Sequence, residues 1–146
     1  MQIKDVMTHV PETVDANASA AEAAAKMREL DVGSLPVCDG ERLKGLLTDR
    51  DIAIRLVALG LDAATTKVSE IMTPDAAYCF DDQTLDEAAV LMEAHQIRRL
   101  PILNRDKELI GILSLGDLSV RTAGTEDRAL ADEVLNEISL SELKTR

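Results

Sequence analysis

Aromatic residues are nearly missing from this chain of 146 residues, which has one Tyr, one Phe and no Trp. Apolar residues still make up 46%, so the expected core is aliphatic, built from Leu, Ile, Val, Met and Ala. Basic runs are missing too. None is longer than Arg98-Arg99, and the net charge is −11. A chain this acidic repels phosphate backbones, so no nucleic-acid partner is expected. Long apolar runs are also lacking. The best, Ile52 to Leu61, is interrupted by Arg55 and far too short to span a bilayer. The opening Met-Gln-Ile-Lys-Asp-Val has no apolar stretch of the secretory kind. No membrane partner is expected, and the expected location is the cytoplasm.

Chemistry-bearing patterns are equally sparse. Cys38 and Cys79 are far apart and form no CxxC, so buried free thiols in strands are expected. His9 and His95 are the only histidines, and no Cys/His cluster has metal-ligand spacing. No P-loop and no GxGxxG occur. No acidic pair has recognisable acid/base spacing. Binding without catalysis is the expectation, and no resident cofactor or metal is expected.

What the chain does have is an internal repeat. Met7-Thr8 is answered by Met72-Thr73, Ser19-x-x-Glu22 by Thr84-x-x-Glu87, and Pro36 by Pro101, all 65 positions apart. Ala20, Ala23, Ala24 and Met27 are answered by Leu85, Ala88, Ala89 and Met92. Beyond a hairpin turn one residue longer in the second copy, the offset becomes 66, and Gly45, Thr48 and Asp51 are answered by Gly111, Ser114 and Asp117. Each copy reads as strand, helix, strand, strand, helix. Ser19 and Thr84 read as capping-box starts, and Gly33 reads as the stop of the first long helix. Ser34–Cys38 and Leu43–Leu47 read as a hairpin, because so short a link permits only antiparallel pairing. A further helix is expected from about Asp49 to Leu59, with residues 61–67 as a linker. His95 answers Leu30, a partly buried helix position.

One copy of about 60 residues buries little surface alone, so two should stabilise each other. The fold class expected is α+β, two βαββα units packed with pseudo-two-fold symmetry. The expected divisions are residues 1–62, residues 63–122 and a helical C-terminal extension, 123–146. That extension carries Ala129, Leu130, Val134 and Ile138 along one side of a helix.

The repeated Gly-x-x-Ser/Thr-x-x-Asp is the pattern with chemical content. Its hydroxyl and carboxylate sit at a strand-to-helix junction, and their spacing alone fits a capping box. Two features point further. Gly45 and Gly111 interrupt strands, which suits close approach of backbone or ligand, and both are placed among the expected nucleotide-binding residues. Arg98 and Arg99 precede the second copy, and arginine clamps phosphate. A carboxylate can accept from both hydroxyls of a ribose diol, so the set suits a nucleoside phosphate. The alternative reading of the arginines is solvated edge charges that discourage strand pairing.

The duplicated pattern resembles the tandem cystathionine β-synthase (CBS) domain, or Bateman module, over about residues 1–122. The resemblance is carried by Asp5-Val-Met-Thr8 and Glu70-Ile-Met-Thr-Pro74, by the Leu-Pro-Val and Leu-Pro-Ile strands, and by Gly45-Leu-Leu-Thr-Asp-Arg-Asp51 and Gly111-Ile-Leu-Ser-Leu-Gly-Asp117. It implies a stand-alone regulatory module binding an adenosine-containing ligand of the AMP, ADP, ATP, NAD or S-adenosylmethionine class. It also implies a homodimer and a regulated protein partner. By position the ligand roles fall on Asp117, Ser114, Arg98 and Arg99, and on Asp51 and Thr48. The first copy departs from this pattern. It has Gly33-Ser34 in place of the arginines, and Asp49, which repels phosphate, follows Thr48. The Asp117 copy therefore ranks first. The alternative is a ligand-independent interaction module whose motifs only cap helices.

Overall fold

The computed structural model describes residues 1–9 and 11–121. In chain order its elements are β1 (Thr8–His9), β2 (Val14–Asp15), α1 (Ala20–Leu30), β3 (Ser34–Asp39), β4 (Arg42–Thr48), α2 (Asp49–Ile52), α3 (Val68–Ile71), β5 (Thr73–Pro74), β6 (Cys79–Phe80), α4 (Leu85–His95), β7 (Arg99–Leu103), β8 (Leu109–Ser114) and α5 (Leu115–Arg121). The fold is α+β with two repeated βαββα sets, β2-α1-β3-β4-α2 and β6-α4-β7-β8-α5. The expected helix over 126–137 and the extension 123–146 lie outside the described residues.

The chain divides into two compact units, Glu12–Ala76 and a second made of Met1–Pro11 with the chain from Ala77 on. They are called the α1 unit and the α4 unit below. These units do not coincide with the sequence repeats, because each repeat lends its opening segment to the other unit. In the α1 unit the sheet order is β2-β3-β4-β5, so Thr73-Pro74 closes the edge of the sheet. In the α4 unit the order is β1-β8-β7-β6, so Thr8-His9 plays the same part. The exchange is reciprocal down to single bonds. The Ile3 amide donates to the Gln83 carbonyl at 2.9 Å and Lys4 to Asp81 at 3.0 Å. Sixty-five positions on, Val68 donates to Ala18 at 2.9 Å and Ser69 to Ala16 at 3.0 Å. Residues 61–67 are likewise anchored rather than loose. Ala20 and Ala21 at the start of α1 donate to the carbonyls of Thr66 at 2.8 Å and Ala63 at 3.0 Å.

Local chemistry explains the helix boundaries. At the start of α1, Ser19 Oγ accepts from the Glu22 amide at 3.1 Å, and the Glu22 carboxylate accepts from the Ser19 amide at 3.4 Å. Only half of this recurs at α4. Thr84 Oγ1 accepts from the Glu87 amide at 3.2 Å, but the Glu87 carboxylate accepts from Gln83 Nε2 at 2.7 Å instead of turning back. Gly33 is not the stop of α1. Asp31 takes the left-handed conformation at φ 55°, and Gln96 does so after α4 at φ 54°. The second helix is regular only over Asp49–Ile52, then widens into a π turn over Ala53–Val57.

Each unit has its own aliphatic core. Met27, Leu35, Val37, Leu47, Leu56, Val68 and Ile71 are buried in the α1 unit. Ile3, Met7, Leu85, Met92, Leu100, Ile102, Leu113 and Leu118 are buried in the α4 unit. Ala20 and Ala23 of α1 and Ala88 and Ala89 of α4 are each buried in the core of their own unit. The two aromatic rings stand together at the margin of the α4 unit, Tyr78 edge-on to Phe80 at 5.5 Å. The Arg105 guanidinium lies 4.2 Å above the Phe80 ring and forks onto the Asp82 carboxylate at 2.7 and 2.9 Å. That fork holds the Asp82 carboxyl below its usual range. His95, at the last position of α4, is exposed rather than partly buried.

Candidate functional site

Antiparallel pairing of β7 with β8 brings the expected ligand groups of the α4 unit to one end of one hairpin. Arg99 stands directly opposite Ser114 in the ladder. The Arg98 carbonyl accepts from the Leu115 amide at 2.9 Å, which fixes Arg98 beside the first turn of α5. Both arginines are exposed. Ser114 Oγ accepts from the Asp117 amide at 3.0 Å, and Asp117 Oδ2 accepts from the Ser114 amide at 3.0 Å. The capping box anticipated from the spacing is therefore formed, and Asp117 remains half-buried at its end.

The α1 unit repeats the box. Thr48 Oγ1 accepts from the Asp51 amide at 3.1 Å, and Asp51 Oδ2 accepts from the Thr48 amide at 3.0 Å. Thr48 lies opposite Ser34, and the Asp49 amide donates to the Gly33 carbonyl at 2.9 Å. The surroundings differ, however. Asp51 is only 6% exposed. The Thr73 hydroxyl lies within 3.4 Å of Asp51 Oδ1, and Arg55 Nε within 3.9 Å. Arg55 Nη1 also donates to the Met72 carbonyl at 3.0 Å. Where the other copy carries Arg98, this one has Gly33 under the Asp49 carboxylate, with Asp49 Oδ2 3.1 Å from where a Cβ would stand.

The two strand glycines have a packing cause. A Cβ on Gly45 would run into the Thr73 carbonyl oxygen of β5 and come 3.0 Å from Met72 Sδ. A Cβ on Gly111 would lie 2.5 Å from Met7 Sδ and 3.0 Å from the Thr8 carbonyl oxygen of β1. Each glycine lets the exchanged edge strand cross the hairpin closely. The sequence reading placed both glycines among the ligand residues, and the structure brings the exchanged backbone close to each of them. It missed Thr73 and Arg55 as neighbours of Asp51. The Asp51-x-x-x-Arg55 spacing on a helix was the one available signal.

Other groups are quieter. Cys38 and Cys79 are buried free thiols. Burial, reinforced by the Asp15 charge, pushes the Cys38 thiol up. Burial and then the Glu87 charge push Cys79 up to about 11. Among the described residues no group of three His, Cys, Asp or Glu side chains could hold a metal ion. No helix among them is long and apolar enough to cross a membrane.

Comparison with known proteins matches this architecture. The family model of the CBS domain matches twice, over residues 3–58 and 68–121. The chain belongs to the CBS domain family. The match of 3–58 and 68–121 follows the sequence repeats, whereas the compact units exchange their opening segments. This CBS pair is 43% identical over 129 residues to the CBS domain-containing protein YhcV of Bacillus subtilis (strain 168), covering 88% of the chain and 91% of that protein. It is similar to the crystal structure of Hypoxic Response Protein I with two coordinated zinc ions, at TM-score 0.76 and 36% identity, covering 82% of this chain and 97% of that one. It is also similar to the crystal structure of CBSX2 in complex with AMP, at TM-score 0.72 and 32% identity, covering 84% and 95%.

Proposed function

We propose that this CBS pair is a regulatory module that binds an adenine nucleotide at Arg98, Arg99, Ser114 and Asp117 and performs no chemistry on it. The observation that carries this reading is the pairing of Arg99 opposite Ser114 at the start of α5. It gathers two permanent positive charges, a hydroxyl and a carboxylate within one hairpin end. The arginines suit the phosphates, and Asp117 suits the ribose diol. The complex of CBSX2 with AMP, in a chain 32% identical, supports an adenosine-containing ligand. Gly45 and Gly111 serve by admitting the crossing strand rather than by touching the ligand. In this reading the module is a cytoplasmic homodimer that relays nucleotide occupancy to a protein partner.

The formed capping boxes favour a second reading, a ligand-independent interaction module. Calorimetric titration with AMP, ADP, ATP, NADH and S-adenosylmethionine separates the two. The nucleotide reading expects at least one ligand to bind more tightly than about 1 mM, roughly 4 kcal/mol. It also expects Asp117→Asn, which keeps an oxygen for the cap, to weaken that ligand about tenfold with the fold intact. Absence of binding by all five leaves the interaction module.

A further inference from the structure

We infer that the two copies of the motif have parted in role: the chain takes one phosphate-bearing nucleotide, at Asp117, and the Asp51 copy is a latch on the exchanged strand. The inference rests on the nucleotide reading above and adds its stoichiometry and its selectivity.

Two independent observations carry it. The first is occupancy. The Asp51 carboxylate is buried, and it already accepts from the Thr48 amide and faces the Thr73 hydroxyl and Arg55. Arg55 in turn holds the Met72 carbonyl. Asp51 and Arg55 together therefore clasp Met72-Thr73, the segment that closes the sheet of the α1 unit. A ribose diol reaching the buried Asp51 carboxylate would have to displace the Thr73 hydroxyl. Asp117 is half-buried instead, and it accepts from the Ser114 amide.

The second observation is charge. At the hairpin end of the α4 unit stand Arg98 and Arg99. The matching positions in the α1 unit are Gly33 and Ser34, and the Asp49 carboxylate lies over Gly33. Arg50 beside it is exposed, and its amide donates to Asp49 Oδ1 at 2.8 Å. A phosphate placed there meets a carboxylate where the other copy offers a guanidinium. Like charges at such a distance disfavour binding.

Titration of the full chain with AMP and with ADP tests this. The expected result is one nucleotide per chain, with Arg98→Ala/Arg99→Ala removing all binding rather than half of it. Thr73→Val should lower the melting temperature by about 4 °C, the loss of one hydrogen bond, and leave nucleotide affinity within twofold. Two nucleotides per wild-type chain would overturn the inference while keeping the nucleotide reading. So would one nucleotide per chain bound at wild-type affinity by the double arginine variant. A tenfold loss of affinity in Thr73→Val would place Thr73 at a ligand and overturn the latch, as would an unchanged melting temperature. Wild-type protein binding neither nucleotide below about 1 mM, weaker than roughly 4 kcal/mol, would refute the phosphate-site reading and this inference with it.

Discussion

Alanine at Gly45 and at Gly111 distinguishes a glycine kept for a crossing strand from one kept for a ligand. At Gly45 two of the three nearest atoms to a new Cβ are the carbonyl oxygen and carbon of Thr73, which are backbone. Reaching ordinary contact requires β5 to retreat by about 1 Å. That strand is fastened by its pairing with Gly45 and Leu46, by Arg55 on the Met72 carbonyl, and by the Met72 amide on Val68 at 2.9 Å. Overpacking of this kind costs about 1–3 kcal/mol, and a loosened ladder bond adds about 1 kcal/mol. The lower entropy of the unfolded alanine chain returns about 0.4–1 kcal/mol, since Gly45 has no left-handed backbone to lose. The net expectation is a loss of about 2 kcal/mol, or about 8–16 °C in melting temperature for a unit of this size. At Gly111 two of the three nearest atoms, Met7 Sδ and Cγ, belong to a flexible side chain. Gly111→Ala should therefore cost about 1 kcal/mol. Urea titration of both variants reads these values directly. A Gly45→Ala protein within about 0.5 kcal/mol of wild type, the ordinary scatter of harmless substitutions, refutes the reasoning. So does the reverse order of the two costs.

The remaining predictions concern caps and a buried thiol. Ser19→Ala removes a complete capping box and should cost about 1 kcal/mol in urea titration. Thr84→Ala should cost less, because Glu87 is held by Gln83 and does not cap. For Cys79 the folded pKa is raised, so its contribution to stability is complete below the unfolded value of 9.0 and declines as pH rises toward about 11. Over that window wild type should lose up to about 3 kcal/mol more than Cys79→Ala. Denaturation midpoints of the two proteins at pH 8 and pH 10.5 check this. Parallel behaviour would mean that Cys79 ionises in the folded unit as easily as in the unfolded chain.

The sequence revealed what repeats and left hidden what crosses. The hairpins, the long helices and the box at each Thr/Ser-x-x-Asp follow from local rules, namely short links, apolar stripes and hydroxyl-to-acid spacing. The ownership of residues 1–11 does not. Ile3, Val6 and Met7 look like the start of the first repeat, and nothing in their spacing says that they are buried against Leu85, Met92 and Leu113. Pairing between β1 and β8 joins residues about a hundred positions apart, and such choices depend on packing of whole faces rather than on neighbours. The stop of α1 was misplaced for a smaller reason. Gly33 is the better intrinsic left-handed residue, but Asp31 reaches that conformation first and its amide bonds back to Met27 and Arg28. Around the site, the arginines and the boxes were legible. The Thr73 hydroxyl beside Asp51 was not, because it arrives from the exchanged strand.

Capping and ligand binding are not rivals for the same atoms. A carboxylate has about four lone-pair positions, and a serine hydroxyl has two acceptor positions and one proton. The box at α5 draws on one acceptor of each, toward the amides of Ser114 and Asp117. Those bonds also hold both side chains in one rotamer at the mouth of the hairpin, so a ligand that uses them meets little ordering cost. In the nucleotide reading the cap therefore prepares the pair for a ligand as much as it stabilises the helix. It cannot be what separates the copies, since Thr48 and Asp51 form the same box at nearly the same lengths. The separation lies in what surrounds the carboxylate. One is half-buried at the end of the hairpin that carries Arg98 and Arg99. The other is buried, with the Thr73 hydroxyl of the crossing strand and Arg55 beside it.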